Sequence, residues 1–357
     1  MDYSTAAPED DYDVLIQDDL DSHEPEQALT PQLLSAQQAL QFFCLVFALG
    51  LLNNALAVFI LVKYKGLKNV GNIYCLNLAV SNLCFLLPLP FWAQAAASGE
   101  SPGNGTCKAL VGLHSTGLYS ETFFNILLLV QGYKLFSQGT QSSALTTVRS
   151  VVVTSILAWI TAVTLALPES VFYQPHMERQ RSNCAFGKPH FLPVGEPFWK
   201  YFLTSKTNIL VLGFPLVVFI FCCAQMRKTQ AFRERQNDLR KLGFVIMAVF
   251  LLMWAPYNIV LFLSEFQEHL PLQDGKHSYH LDASLQVTQL IATTHCCANP
   301  LICLLFDKAF TRCLCSLFPR CSGSPSRSGA DSQGAPPRRG HDQTFELYSS
   351  LHQRQDM

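Results

Sequence analysis

Residues 40–62 read LQFFCLVFALGLLNNALAVFILV, an uncharged stretch that is long enough to cross the hydrocarbon core of a membrane as a helix. Six further apolar stretches follow, separated by polar links. They span 71–96, 107–134, 147–168, 204–226, 241–264 and 283–306. Because lipid offers no partner to an unpaired backbone group, such stretches must be helical. The sequence therefore predicts an all-α membrane protein, a seven-transmembrane helix bundle.

The composition agrees with a chain that lipid covers over much of its surface. Of its 357 residues, 14% are charged, whereas about 25% is usual in soluble domains. The net charge of −1 gives no reason to expect nucleic acid as a partner. The sequence has no Gly-rich phosphate loop, no metal-spaced His/Cys cluster and no hydrolytic triad. We therefore predict neither an enzyme nor a metal or cofactor site, and expect membrane lipid as a partner.

The distribution of basic residues predicts the orientation in the membrane. The first, third and fifth links hold eleven Lys and Arg residues, whereas the other side holds six. Basic links favour the cytoplasm, so the N-terminus is predicted to be extracellular in a multi-pass protein of the plasma membrane. The glycosylation sequon at Asn104 then lies outside. Cys107 and Cys184 are the cysteines in or beside polar segments on that side, which suggests one disulfide.

Two polar regions flank the predicted bundle. Residues 1–26 contain ten acidic residues and no apolar signal-peptide core, which is typical of a disordered acidic tail. After the bundle, Cys313 and Cys315 lie in a short amphipathic segment and are palmitoylation candidates, with unmodified thiols as the alternative. The predicted domains are an extracellular tail at 1–39, the bundle at 40–306, an amphipathic eighth helix at 307–318 and a disordered cytoplasmic tail at 319–357.

Several motifs together resemble one receptor family over about residues 40–318. They are LNLAVSNL at 76–83, LPFW at 89–92, Trp159, WAPY at 254–257 and THCCANP at 294–300. The set resembles rhodopsin-type receptors, and LPFW with the HCC of 295–297 is similar to chemokine receptors in particular. The resemblance implies a switch at Trp254 and Pro256, where a proline kink follows a large ring. Core packing at a static kink is the alternative.

The chain departs from this family where its members contact G proteins. Signalling members end the third helix with Asp-Arg-Tyr, whereas this chain has Gln131-Gly132-Tyr133. Glycine supplies neither a donor nor a charge in place of the arginine. Two tyrosines that help to lock the open state in the family are replaced by Cys223 and Cys303. The departures predict a receptor without ordinary G-protein coupling, with neutral drift at a surface turn as the alternative for Gly132.

A further departure concerns polar residues inside the predicted membrane region. The aspartate that binds sodium in the family is Asn82, and a carboxyl appears instead at Glu121, where burial is expensive without a partner. By the family pattern, these residues converge on one place. The expected polar cluster comprises Asn54, Asn82, Glu121, His295 and Asn299. We predict that Glu121 either replaces the aspartate as an ion ligand or pairs with His295, and a protonated, hydrogen-bonded Glu121 is the alternative.

The acidic tail suits a basic protein ligand. Asp10, Asp11, Tyr12 and Asp13 form its densest part, and such charge steers a cationic partner. The resemblance, closest to atypical members of the family, implies chemerin or a chemokine as the ligand and presentation at the cell surface. Gln289 replaces a ligand-gripping Glu of the family, and a second disulfide of the family is missing. Alternatives are a scavenger that internalises ligand through arrestin and a weakly signalling receptor. Arrestin and other chemokine receptors, as heteromers, are the further expected partners.

Overall fold

A computed structural model describes the helical bundle and part of its connections. The described residues are 36–98, 103–138, 148–178, 181–187, 189, 195–229, 238–266 and 275–306. Several predicted features lie outside them and stay predictions: Asp10, Asp11, Tyr12 and Asp13 of the acidic tail, the eighth helix, and the palmitoylation candidates Cys313 and Cys315.

Seven long helices make up the described part of the chain, and they confirm the all-α prediction. Three of them are divided into two α-helices by a break or a wider π-helical turn, and the first helix ends in such a turn. The helices are α1 (Ala36–Ile60, continued by a π-helical turn at Leu61–Lys65), α2 and α3 (Val70–Leu86 and Leu89–Ser98), α4 (Asn104–Gln138), α5 (Val148–Phe172), α6 and α7 (Glu196–Asn208 and Phe214–Thr229, joined by a π-helical turn at Ile209–Gly213), α8 (Asp238–Glu265), and α9 and α10 (Gly275–Thr293 and His295–Phe306).

Five of the seven helices are long and apolar enough to cross a membrane: Gln37–Lys65, Val70–Ala95, Val148–Phe172, Glu196–Arg227 and Lys241–Glu265. The helix α4 is more polar, but it packs against α2, α5, α7 and α8. Neighbouring helices thus cover the polar residues of α4, whereas the outer helices present apolar side chains. The remaining long helix is divided at Thr294, which separates α9 from α10.

The interruptions follow from identifiable residues. Helix α2 ends before Pro88, which has no backbone N–H to continue the ladder, and α3 resumes when Trp92 N–H donates to Pro88 O at 3.2 Å. Pro215 follows the π-helical turn at the start of α7, whereas Pro256 and Pro300 lie inside α8 and α10. The kink position predicted at Pro256 therefore falls within a helix.

A β-hairpin that the sequence reasoning missed closes one end of the bundle. Strands β1 (Tyr173–Glu178) and β2 (Arg181–Phe186) pair antiparallel, with Tyr173 opposite Phe186. The predicted Cys107–Cys184 disulfide is confirmed, with the two Cα atoms 5.8 Å apart, and it joins β2 to the first turn of α4. The rings of Phe172 and Phe186 stack at 5.5 Å. We call this end of the bundle the hairpin end, and the other the opposite end.

The centre of the bundle depends on a close approach of α2 to α4. Gly117 in α4 faces the backbone of α2, where a Cβ would collide with Phe85. Phe85 is 1% exposed, and its ring meets those of Trp254 at 6.0 Å and His295 at 4.9 Å. Because Gly117 lets α2 and α4 approach closely, these aromatic rings pack together at a distance of one helical turn from Glu121.

The disulfide should carry a large share of the stability of the hairpin end. Because the link closes a long loop, with its cysteines 77 residues apart, Cys107→Ser or Cys184→Ser should cost about 2–5 kcal/mol. Thermal unfolding of the solubilised receptor should show a lower midpoint for each variant, and the double variant should fall no further. Cys44→Ser, at an exposed free cysteine, is the control. If both single variants unfolded at the same midpoint temperature as wild type, the disulfide would not have this role.

The predicted orientation can be tested at Asn104, which is exposed at the first residue of α4. N-glycans are attached on the side that becomes extracellular, so treatment with peptide N-glycosidase should increase the gel mobility of the wild-type receptor. Asn104→Gln and Thr106→Ala should each remove the glycan-dependent shift, because either change destroys the sequon. If peptide N-glycosidase did not change the gel mobility of the wild-type receptor, this prediction would be wrong.

Candidate functional site

Glu121 lies in the middle of α4 and is fully buried. Its Oε2 lies 2.5 Å from Nε2 of His295, and its Oε1 accepts a hydrogen bond from Asn299 Nδ2 at 2.9 Å. His295 and Asn299 belong to α10, so one carboxyl group ties the central helix to the last long helix.

Two asparagines extend this arrangement to the first two helices. Asn82 Nδ2 donates to Asn54 Oδ1 at 3.0 Å, and Asn54 Nδ2 donates to the backbone oxygens of Cys296 and Gly50, each at 2.9 Å. Asn54 and Asn82 are fully buried, and so is Glu121. The structure thus brings together the polar cluster, which is Asn54, Asn82, Glu121, His295 and Asn299, and joins α1, α2 and α4 to α10.

The interruption between α9 and α10 explains why these side chains meet there. Thr294 N–H donates to Ile291 O at 3.1 Å, and Cys297 N–H donates to Thr294 O at 3.0 Å, so the chain makes shorter turns at the break. Side chains of the polar cluster reach carbonyls on both sides of it. His295 Nδ1 lies 2.6 Å from Ala292 O, and Asn54 bonds Cys296 O. The cluster therefore forms hydrogen bonds with backbone carbonyls for which lipid offers no partner.

The hydrogen bonds of His295 place one proton on Nδ1 and a second proton between Nε2 and Glu121. A carbonyl oxygen only accepts, so the contact with Ala292 O requires a proton on Nδ1. The 2.5 Å contact between Nε2 and Glu121 then contains one further proton, on either the imidazole or the carboxyl. In both arrangements the pair carries no net charge. A carboxyl can therefore be buried in mid-bundle without an uncompensated charge.

Both carboxyl oxygens of Glu121 are occupied by partners in this structure, one by His295 and the other by Asn299. An ion bound directly to Glu121 would have to displace at least one of them. Among the described residues, no group of three or more His, Cys, Asp or Glu side chains is placed to hold a metal ion. Of the two roles considered for Glu121, the geometry supports the pair with His295.

Trp254 connects the polar cluster to the middle of α8. It is 4% exposed, and its ring lies 5.1 Å from that of His295 and 5.8 Å from that of Tyr257. Pro256 follows two residues later inside the same helix. A movement of α8 at this kink would therefore displace a ring that directly contacts His295.

Three polar residues near the cluster were missed by the sequence reasoning. Asn125 lies one helical turn beyond Glu121 and is fully buried, and neither atom of its amide has a hydrogen-bond partner among the described residues. Ser120 Oγ donates to Ser81 Oγ at 2.8 Å and so joins α4 to α2. The available signal was spacing, since residues four apart in a helix share a face.

The altered coupling residues lie toward the opposite end of the bundle. Gln131 and Gly132 are buried near the end of α4, and Tyr133 is half-buried against the core. Cys223 on α7 and Cys303 on α10 are half-buried. Cys303 lines a narrow cleft together with Asn54, Asn299 and residues of α2 and α8. Cys303 thus lies along the same cleft as two asparagines of the polar cluster.

Gln289 is separate from the polar cluster. It is exposed on α9, and its backbone oxygen accepts a hydrogen bond from Thr293 Oγ1 at 2.7 Å. Among the predicted ligand-binding residues, Gln289 is the one that the described part of the chain includes. Its neutral amide offers no charge to a cationic ligand.

Sodium should have no effect on stability if Glu121 is held by His295 and Asn299. We expect the melting temperature of wild type to stay constant when choline chloride is replaced by sodium chloride at equal ionic strength. Glu121→Leu should lower that temperature in either salt, because breaking a buried pair costs about 3–5 kcal/mol. Glu121→Gln serves as the isosteric comparison. Sodium-dependent stabilisation of wild type that disappears in Glu121→Gln would instead identify an ion ligand.

Comparisons with known proteins agree with this arrangement. Residues 53–302 match the family model described as 7 transmembrane receptor (rhodopsin family). The chain is 69% identical over 359 residues to C-C chemokine receptor-like 2 of Mus musculus, covering 100% of both chains. It is 54% identical to C-C chemokine receptor-like 2 of Homo sapiens, covering 92% of this chain and 95% of the relative.

A more distant relative, C-C chemokine receptor type 1 of Homo sapiens, is 38% identical over 87% of this chain and 88% of its own. These proteins are receptors and not enzymes, and a chain with these apolar helices in this family is a multi-pass protein of the plasma membrane. The chain therefore belongs to the rhodopsin family of seven-transmembrane receptors, as a receptor of the chemokine type.

Proposed function

We propose that this receptor captures a chemoattractant protein, chemerin, and presents it at the cell surface without activating a G protein. The observation that carries the proposal is Gly132 at the end of α4, where coupling members of the family have an arginine. An arginine offers five N–H donors and a fixed charge, whereas glycine offers no side chain. Neighbouring Gln131 is neutral, so it does not restore the cation.

The polar cluster supports a bundle that stays in one packing. Opening at the opposite end would strain the bonds of Glu121 to His295 and Asn299, and those of Asn54 to Asn82 and Cys296 O. Hydrogen bonds to charged groups each contribute about 1.5–3 kcal/mol, and neutral ones about 1 kcal/mol. A ligand shifts such an equilibrium only by its differential affinity for the two packings. Cys223 and Cys303 supply no hydroxyls that would stabilise the packing that is open at the opposite end.

The ligand side rests on charge. The acidic tail, with Asp10, Asp11 and Asp13 at its densest part, favours a basic protein and increases its rate of encounter. Chemerin as the ligand rests on the resemblance to atypical members of the family. A chemokine is the second candidate, because relatives from 38% to 69% identity carry that word in their names. Because Gln289 is neutral where the family has a ligand-binding Glu, we infer a mode of ligand binding that differs from that of the family.

The fate of bound ligand distinguishes presentation from scavenging. The serines at 322, 324, 326 and 328 would be the sites through which arrestin drives internalisation. Presentation instead requires the ligand to stay at the surface, where it reaches a neighbouring receptor, including a chemokine receptor in a heteromer. Surface-bound label measured over time after ligand washout therefore separates the two.

Labelled chemerin should bind saturably to intact cells that express the receptor, whereas nucleotide exchange should not respond. Exchange is measured with purified receptor in nanodiscs and a heterotrimeric G protein, with a coupling-competent receptor as the positive control. Gly132→Arg alone should give no ligand-stimulated nucleotide exchange, because positions 223 and 303 are still cysteines without hydroxyls. Adding Cys223→Tyr and Cys303→Tyr to Gly132→Arg should produce ligand-dependent exchange.

Two results would contradict the proposal. Ligand-stimulated exchange by wild type would show that a cation on α4 is dispensable. Absence of saturable binding would remove chemerin as the ligand, and the same assay repeated with chemokines would then test the second candidate.

A further inference from the structure

A basic and aromatic surface lies at the opposite end of the bundle, where α1 passes into its link to α2. The apolar span of the first helix is Gln37–Lys65, so this surface lies at the boundary of the hydrocarbon core. It combines three lysines with two aromatic rings. We call these residues the basic patch: Phe59, Lys63, Tyr64, Lys65 and Lys68.

The π-helical turn at Leu61–Lys65 brings together two rings that a regular α-helix would keep apart. Residues that share a face of an α-helix are three or four positions apart, whereas Phe59 and Tyr64 are five apart. The wider turn lets their rings meet edge to face, with centroids 5.8 Å apart. Because these side chains are 42% and 45% exposed, the pair faces outward and not into the core.

Lys63 lies over both rings. Its Nζ is 5.1 Å from the centroid of the Phe59 ring and 5.8 Å from that of the Tyr64 ring, within the range of cation–π attraction. A lysine side chain on a surface otherwise samples many rotamers, and fixing it costs entropy when an anion binds. The two rings reduce this cost, because they already hold the ammonium group in one position.

The link between α1 and α2 has a defined backbone. Gly66 adopts a φ of 69°, and its carbonyl accepts a hydrogen bond from Asn72 Nδ2 at 2.9 Å. The side chain of Asn69 caps α2 by accepting a hydrogen bond from Gly71 N–H at 2.9 Å. Two lysines of the basic patch flank Gly66 in this link, so both are attached to a backbone of fixed shape.

No acidic side chain balances the basic patch from α1 or from the helices α2, α3 and α10 that pack against it. Residues 27–99, which include α1, α2 and α3, contain no Asp or Glu. Helix α10 has none either. Three positive charges within the six residues 63–68 therefore create an attractive potential for an anion that approaches from outside the bundle.

We propose that the basic patch binds the headgroup of a polyphosphoinositide. A phospholipid fits because exposed apolar side chains of the same helix, such as Leu52 and Val62, can pack against its acyl chains. A headgroup with several phosphates can contact more than one lysine at once, whereas phosphatidylserine carries a single net charge. In the predicted orientation this end faces the cytoplasmic leaflet, whose anionic lipids attract basic segments next to a membrane span.

Receptor reconstituted in nanodiscs tests the site with phosphatidylinositol bisphosphate as the probe. In a phosphatidylcholine background, the melting temperature should rise as the fraction of the probe increases, since a ligand that binds the folded state stabilises it. Phosphatidylserine at equal negative charge should give a smaller shift. Soluble inositol trisphosphate, which has the phosphates without the acyl chains, should give no shift.

The lysines should contribute individually. Lys63→Gln, Lys65→Gln and Lys68→Gln should each increase the probe fraction needed for the half-maximal shift about fivefold, the contribution expected of one lysine near an anionic membrane surface. Lys200→Gln removes an exposed lysine charge at the hairpin end and is the matched control, which should respond as wild type.

A double-mutant cycle tests whether the rings act through Lys63. Phe59→Leu/Tyr64→Leu keeps apolar side chains but removes the rings, and it should weaken the response to the probe. Combined with Lys63→Gln it should cause no further loss, because the rings position that ammonium group. Fully additive losses would show that the rings do not position Lys63.

Three results would overturn the lipid site: equal shifts with phosphatidylserine and the probe, a shift with inositol trisphosphate as large as that with the lipid, or a wild-type response from all three lysine variants. Neither chemerin nor a G protein enters this experiment. The proposed function can therefore fail while the lipid site stands, and the lipid site can fail without affecting the proposed function.

Discussion

A helix break inside a bilayer leaves backbone carbonyls that only the protein can satisfy, and this constraint organises the centre of the receptor. At Thr294 the last long helix is interrupted, and His295 and Asn54 bond the carbonyls of Ala292 and Cys296. Once His295 is held in this way, its second nitrogen faces α4 and requires a partner. Glu121 is that partner, and it also binds Asn299.

The two ends of the molecule then differ in what their polar groups can do. Toward the opposite end lie Gly132 and Cys303, which supply neither a charge nor a hydroxyl. Toward the hairpin end, Glu169 pairs with Lys206 and Glu265 pairs with Lys200. The polar cluster lies between these regions and ties four helices together. The proposed function assigns ligand capture to one end of this bundle and no G-protein contact to the other.

Several features of the fold are predictable because they depend on properties local to the chain. Hydrophobicity summed over about 20 residues located all seven helices. The helices nevertheless extend past the apolar stretches, as α6 does from Glu196, because polar residues can continue a helix beyond the hydrocarbon. The β-hairpin was not predictable from its sequence, since Pro175 spoils a strand pattern, and the Phe172–Phe186 stack depends on the fold.

The sequence by itself determined the helices, the single plausible disulfide and the absence of a cation at Gly132, because these follow from residue identity and local spacing. The family resemblance added which polar residues should converge. Only the tertiary structure decided that Glu121 faces His295, 174 positions away, and that Lys206 pairs with one oxygen of Glu169. The physical reason is that a hydrogen bond depends on ångström distances and directions between helices, which the order of residues along one helix does not contain.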